Sequence, residues 1–181
     1  MTTSRIISAA TGLPVTLTDV KTDLGIYHDE KDSTIATLLE ASVSFAERFT
    51  GQIFRYPGET MVQTVADFST VDLDYSPVTG VTAVTYYNGA NQETTLPTGS
   101  YTVMNAQIPA QIEFSSTPVT YNRPDAVKIQ YVAGYTTPQS VPADVRAAIL
   151  LIVRHLYEAS GNPVKQMPTA AEWILRNHKV H

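Results

Sequence analysis

The chain of 181 residues, 43% of them hydrophobic, is long enough for one domain, or one domain carrying an insertion, with a core that needs neither metal nor disulfide. It contains no cysteine, which excludes disulfide frameworks, zinc ribbons, thiol nucleophiles and iron-sulfur clusters. Its net charge of −5, from 12 basic and 17 acidic residues, argues against a general nucleic-acid binder held by phosphate contacts.

The N-terminal run MTTSRIISAATGLPVTL has no apolar stretch of signal-peptide length. The longest apolar run, Ala147 to Val153, is far short of the roughly 20 residues that span a membrane. Neither export nor membrane insertion is therefore expected. From Leu17 the segment LTDVKTDLGI predicts a short helix, with Thr18 as N-cap, Val20 and Leu24 on one face and Gly25 as the stop. The acidic loop HDEKD follows, and Asp32 is placed to cap a second helix. Ile35, Leu38, Leu39, Ser42, Ala46 and Phe49 trace one face of it, and Gly51 ends it.

Between Ile53 and Thr137 lie 14 of the 24 threonines and eight of the ten tyrosines, residue types that suit a pleated, half-buried surface. Strands are expected at Thr60 to Ala66, Thr70 to Leu73, Val81 to Tyr87, Tyr101 to Met104, Gln111 to Glu113 and Ala126 to Val132. Asn88-Gly89 is the clearest turn and joins the third of these to the run Glu93 to Leu96. Val127, Ile129 and Tyr131 alternate with Lys128 and Gln130, the pattern of a strand with one wet face. Pro142 opens a third helix, Ala143 to Ala159, whose AAILLIV core is apolar nearly all round and must be enclosed by the two N-terminal helices. Ser160 to Pro163 break that helix, and a last short one begins at Thr169, where Thr169 and Glu172 have capping-box spacing.

The expected fold is α+β. Two N-terminal helices (1–52) and a long helix (138–160) form a small helical bundle. An antiparallel β sandwich or open barrel (53–137) is inserted in it, and a linker and C-terminal docking segment (161–181) follow. Residues 164–181 are expected to swing independently until a partner orders them.

No constellation for chemistry emerges. The nine glycines form neither G-x-x-x-x-G-K-[ST] nor G-x-G-x-x-G, so nucleotide binding is not expected. His28, His155, His178 and His181 fit no zinc frame, and the pair His155 and Glu158 lacks the second copy that a carboxylate-bridged metal site needs. The cluster His28-Asp29-Glu30-Lys31-Asp32 departs from calcium-loop spacing at its third, fifth and sixth places. No serine sits in a nucleophile elbow, and Asp72 with Asp74 reads as the wet face of a strand rather than a glycosidase pair. No catalytic, cofactor or metal residue is therefore assigned. What stands out is the C-terminal piece, which carries the single Trp and a charge of +2 from Lys165, Arg176 and Lys179 against Glu172. An aromatic and aliphatic anchor with a cationic rim has the composition of a docking segment.

Taken in order, Val15-Thr16-Leu17-Thr18-Asp19-Val20-Lys21-Thr22-Asp23-Leu24, the acidic loop, and the helix ending Ala46-Glu47-Arg48-Phe49-Thr50-Gly51 resemble the opening of phage head-tail connector proteins, also called adaptor or head-completion proteins. The likeness continues through the β-rich middle, the strand Val127 to Tyr135, the Val141-Pro142 helix start and the helix through His155 and Tyr157. It closes on Ile174-Leu175-Arg176-Asn177-His178-Lys179-Val180, where Asn177-His178-Lys179 stands in place of the family's Pro-Tyr-Arg; Gly25 likewise replaces an Arg. The resemblance implies a non-enzymatic virion protein without a cofactor, located in the neck and assembled in the host cytoplasm. It implies a ring of copies under the portal protein, met by a tail-side stopper or tail-completion protein, with DNA passing through unbound and no membrane involved. By position it assigns portal docking to Trp173, Ile174, Leu175, Arg176 and Lys179. The competing reading is a soluble β-rich module that binds a ligand or protein through its Thr- and Tyr-rich sheet.

Overall fold

The structure, a computed structural model, describes residues 3–159 and 167–180, so most of the expected linker lies outside the described residues. The chain divides into two compact units. One holds the residues up to Ala10 together with Pro57–Gly134; the other holds Thr11–Tyr56 and Tyr135–Val180.

The helical unit contains α1 (Leu17–Leu24), α2 (Asp32–Thr50), α3 (Ala143–Glu158) and α4 (Thr169–Arg176). The start of α1 is set by Thr16, not Thr18. The Thr16 hydroxyl accepts from the Asp19 amide at 3.1 Å, and the Asp19 carboxylate accepts from the Thr16 amide at 3.0 Å. Both orphan donors of the first turn are thereby satisfied, which is what a capping box achieves, and these hydrogen bonds hold the Asp19 carboxyl below its ordinary range. Thr18 instead lies inside the helix. Its carbonyl accepts from the Thr22 hydroxyl at 2.8 Å. We expect Thr16→Ala to cost about 1 kcal/mol and Thr18→Ala almost nothing, read out by urea unfolding.

Gly25 and Gly51 close α1 and α2 in the left-handed conformation, at φ 70° and 74°, where a Cβ would be strained. Asp32 is the first residue of α2 rather than its cap, and no side chain caps that helix. Lys21 takes Asp32 into an ion pair at 2.7 Å instead, beside Asp29 at 2.6 Å. The core of the unit joins Ile35, Leu39, Val43 and Ala46 of α2 to Val145, Ala148, Ile149, Ile152 and Val153 of α3, with Val20 and Phe54 at its edges. This spacing of three and four residues on both long helices is the inward stripe that their sequences contain. No helix among the described residues is long and apolar enough to cross a membrane.

The second unit holds two open antiparallel sheets. The larger is ordered β1 (Thr3–Ser8), β2 (Glu59–Val65), β8 (Val127–Ala133), β4 (Val78–Tyr87) and β5 (Glu93–Thr95). The smaller is ordered β3 (Val71–Asp72), β7 (Gln111–Phe114) and β6 (Tyr101–Met104). Neither sheet closes into a barrel. Asn88 turns the β4–β5 hairpin, its side-chain oxygen accepting from the amides of Ala90 and Gln92 at 3.0 and 3.1 Å. Alternation in β2 and β8 sends Met61, Gln63 and Val65, with Val127, Ile129 and Tyr131, into the interior. Burial pushes the Tyr131 hydroxyl above the ordinary phenol range. β1 escapes a reading of the sequence by pattern. A bulge between Ile6 and Ser8 leaves both of its isoleucines exposed, so no alternation marks it as a strand.

Candidate functional site

The last helix and the four residues after it form the surface to which the docking residues were assigned. α4 starts at Pro168, and Thr169 makes no capping hydrogen bond. Glu172, the expected partner in a capping box, is drawn instead to Arg176 one turn on, at 2.6 Å. Ala171 and Leu175, at i and i+4, are both fully buried in the helical core, and Ile174 packs against it half-buried. Trp173 projects from the opposite side and is 70% exposed. α4 is thus docked on α3 and α2 rather than swinging free, because two small-to-medium apolar side chains on one stripe find a place in an existing core.

The five assigned residues therefore divide. Leu175 is a core residue and Ile174 a half-buried neighbour. Trp173 and Arg176 face outward, Arg176 already tied to Glu172. Lys179 lies over the Phe49 ring at 5.9 Å. Beyond the helix the chain is strapped down. The Gln52 side-chain amide donates to the His178 carbonyl at 2.6 Å, the Val180 amide donates to the Thr50 carbonyl at 2.7 Å, and the His178 ring meets Asp144 at 2.8 Å. The imidazole holds the Asp144 carboxyl below its ordinary range. The sequence offered one signal for this arrangement that the docking assignment did not use: Ala171, Ile174 and Leu175 share a helical stripe that excludes Trp173.

Asp72 and Asp74 are not a pair acting on one centre. Asp72 accepts from the Gln111 side chain at 2.6 Å, and Asp74 is hydrogen-bonded by Ser4. Buried Gln63 holds the backbone between them, donating to the Asp72 carbonyl at 2.7 Å and accepting from the Asp74 amide at 3.0 Å. Among the described residues no group of three or more His, Asp or Glu side chains is placed to hold a metal ion. The aromatic residues of the β-rich unit are largely spent on one another: Phe68 packs edge-on against Tyr86 at 5.4 Å and Phe114 at 5.0 Å, and Tyr101 against Phe114 at 6.4 Å. Its cations are spent as well. Arg123 pairs with Asp125 and lies 3.8 Å from the centre of the Tyr87 ring, while Lys128 pairs with Glu93 and bonds the Tyr87 hydroxyl.

This combination, a helical unit interrupted by open sheets with an outward aromatic on its last helix and no assembled chemistry, is that of a structural docking protein. Residues 15–179 match the model of the head completion protein family, and the chain belongs to that family. No curated protein matches the sequence. Three solved structures share the fold. The first, titled the neck of an empty GTA particle computed with C6 symmetry, has a TM-score of 0.81 at 16% identity, covering 99% of this chain and 96% of that one. The second, titled the virion of the native gene transfer agent particle, has a TM-score of 0.80 at 17% identity, covering 98% and 95%. The third, titled the neck of the native GTA particle computed with C12 symmetry, has a TM-score of 0.76 at 17% identity, covering 99% and 96%.

Proposed function

We propose that this chain is a non-enzymatic head-tail connector of a phage-like particle: a ring of copies under the portal protein that joins the DNA-filled capsid to the tail. Its partners are the portal, neighbouring copies of itself, and a tail-side stopper or tail-completion protein. Its place is the neck of the virion, assembled in the host cytoplasm. Membership of the head completion family supports the role. The observation that carries the docking assignment is Trp173, a large apolar side chain 70% exposed on a helix that is otherwise anchored. A fixed helix presenting one aromatic loses little conformational freedom when the ring enters an apolar groove, which favours binding. Arg176 and Lys179 lie C-terminal to that anchor and suit acidic groups at the groove's rim. The test is copurification with portal protein followed by electron microscopy. A closed ring on the portal axis is expected, and a single off-axis copy would overturn the reading.

DNA has to pass through such a ring, and the β-rich region is poorly equipped to grip it. Residues 53–137 hold seven acids and three bases, Arg55, Arg123 and Lys128, and each of the three is already ion-paired. Phosphate binding there would mean breaking those pairs. We expect negligible binding of the isolated protein to duplex DNA at physiological salt; a salt-sensitive complex of about micromolar affinity or tighter would contradict this.

A further inference from the structure

A cyclic assembly of identical chains needs two different, complementary surfaces on each copy, since only a head-to-tail contact closes into a ring. The β-rich unit contains one candidate socket. The larger sheet packs only one face into the interior; its other face is a twisted, concave surface enclosing about 510 Å³. Val62 and Ala83 lie among Thr64, Thr85 and Gln130 on its floor, and Arg5 stands on the β1 side. Lys128 on that face is engaged by Glu93, but Arg5 is exposed and has no ion-pair partner among the described residues.

The helical unit contains one candidate knob. Tyr27, in the loop between α1 and α2, is 89% exposed, more than any other large hydrophobic residue described. The loop is built to hold it. The Ile26 amide is bonded to the Lys21 carbonyl at 2.9 Å, and the Asp32 amide to the Asp29 carbonyl at 3.1 Å. Lys21 meanwhile clamps both Asp29 and Asp32. Lys31 is taken up by the Tyr157 hydroxyl at 3.1 Å, which leaves Glu30, three residues from Tyr27, as an exposed acid without an ion-pair partner among the described residues. No other exposed aliphatic or aromatic side chain has such a neighbour. Ile108, Val119, Tyr121 and Leu151 have no acid within three residues, and the one beside Trp173 is paired with Arg176.

We infer that the Tyr27 loop of one copy docks on the open face of the larger sheet of the next, with Glu30 meeting Arg5. This rests on the ring reading above and names the surfaces that make the ring. A phenol ring suits that floor: its apolar body covers Val62 and Ala83, while its hydroxyl finds threonine and glutamine partners. Because the loop is ordered before it binds, little is lost on association. The occupant is a second copy, since the unpaired charges on socket and knob are opposite and belong to the same sequence.

The absence of native cysteine makes the test direct. Arg5→Cys/Glu30→Cys protein, alone at high concentration and assembled with portal protein, is treated with a short bismaleimide. A ladder of covalent multimers is expected. Tyr27→Ala should weaken self-association about tenfold or more while its melting temperature stays that of the wild type. Arg5→Glu should also weaken it, and adding Glu30→Arg should restore it. Rings seen by electron microscopy that give no cross-link between chains, or a cross-link formed within single chains, overturn the interface while leaving the ring standing. If no multimer forms on the portal, the ring reading fails and this interface fails with it.

Discussion

Replacing Leu175 by alanine destabilises the helical unit by about 2–5 kcal/mol, whereas replacing Trp173, two residues earlier, leaves its melting temperature nearly unchanged. The contrast follows from burial. Leu175 is fully enclosed with Ala171 in the core shared by α2 and α3, so truncation removes apolar contacts and leaves a cavity that close-packed neighbours fill only in part. Trp173 faces solvent, and its removal leaves no void. Portal binding should show the reverse order. Loss of an aromatic anchor commonly costs about 2 kcal/mol or more, and loss of an exposed rim charge about 1 or less, so Trp173→Ala should weaken docking more than Lys179→Ala. Differential scanning calorimetry and a portal pull-down on the same proteins check both halves. If Trp173→Ala melts early, the side chain belongs to the fold and the docking assignment is wrong. A chain ending at residue 166 should be destabilised too, since it loses Leu175 together with the strap from His178 and Val180 to Gln52 and Thr50.

The second large effect is expected at Gln63→Leu, about 3 kcal/mol, in the β-rich unit. Leucine nearly fills the volume, so packing survives, but it can neither donate to the Asp72 carbonyl nor accept from the Asp74 amide. Each polar group left without a partner costs about 1–3 kcal/mol where water does not reach it. The same glutamine receives the Tyr131 hydroxyl at 3.4 Å, so a third group loses its partner. Urea unfolding should show the loss, and hydrogen exchange at the Asp74 amide should speed up. A neutral Gln63→Leu would mean that water replaces the side chain.

How far the sequence could be read depended on whether local chemistry decided the outcome. Gly25, Gly51 and Asn88 mark their stops and turn because a left-handed backbone or a side-chain-bonded turn admits few residues. The alternation of Val127, Ile129 and Tyr131 is visible because the strand buries one face. Choices between near neighbours were harder. Thr16 and Thr18 are equally good caps by type, and only the position of Asp19 three residues after Thr16 distinguishes them. Thr169 and Glu172 have capping-box spacing, yet Arg176 at i+4 takes the carboxylate. In α4 an eight-residue helix carries Trp173, Ile174 and Leu175 in a row, and composition alone does not say which of them the core accepts. The open sheet face is harder still, since its floor is assembled from strands that lie far apart in the chain.

The division of the chain into two units, each gathered from separate stretches, also sets the order of events during synthesis. α1 and α2 leave the ribosome early, but the surface that covers their apolar stripe belongs to α3, which follows only after the whole β-rich unit has been made. Contacts across that interval close a loop of about a hundred residues, which slows helix docking even though the helices themselves form fast. The sheets, contiguous apart from β1, can fold while the helices wait. A nascent chain stalled before Ala143 should therefore carry native strands beside an uncovered pair of helices, and would be a client for chaperones rather than for a particle.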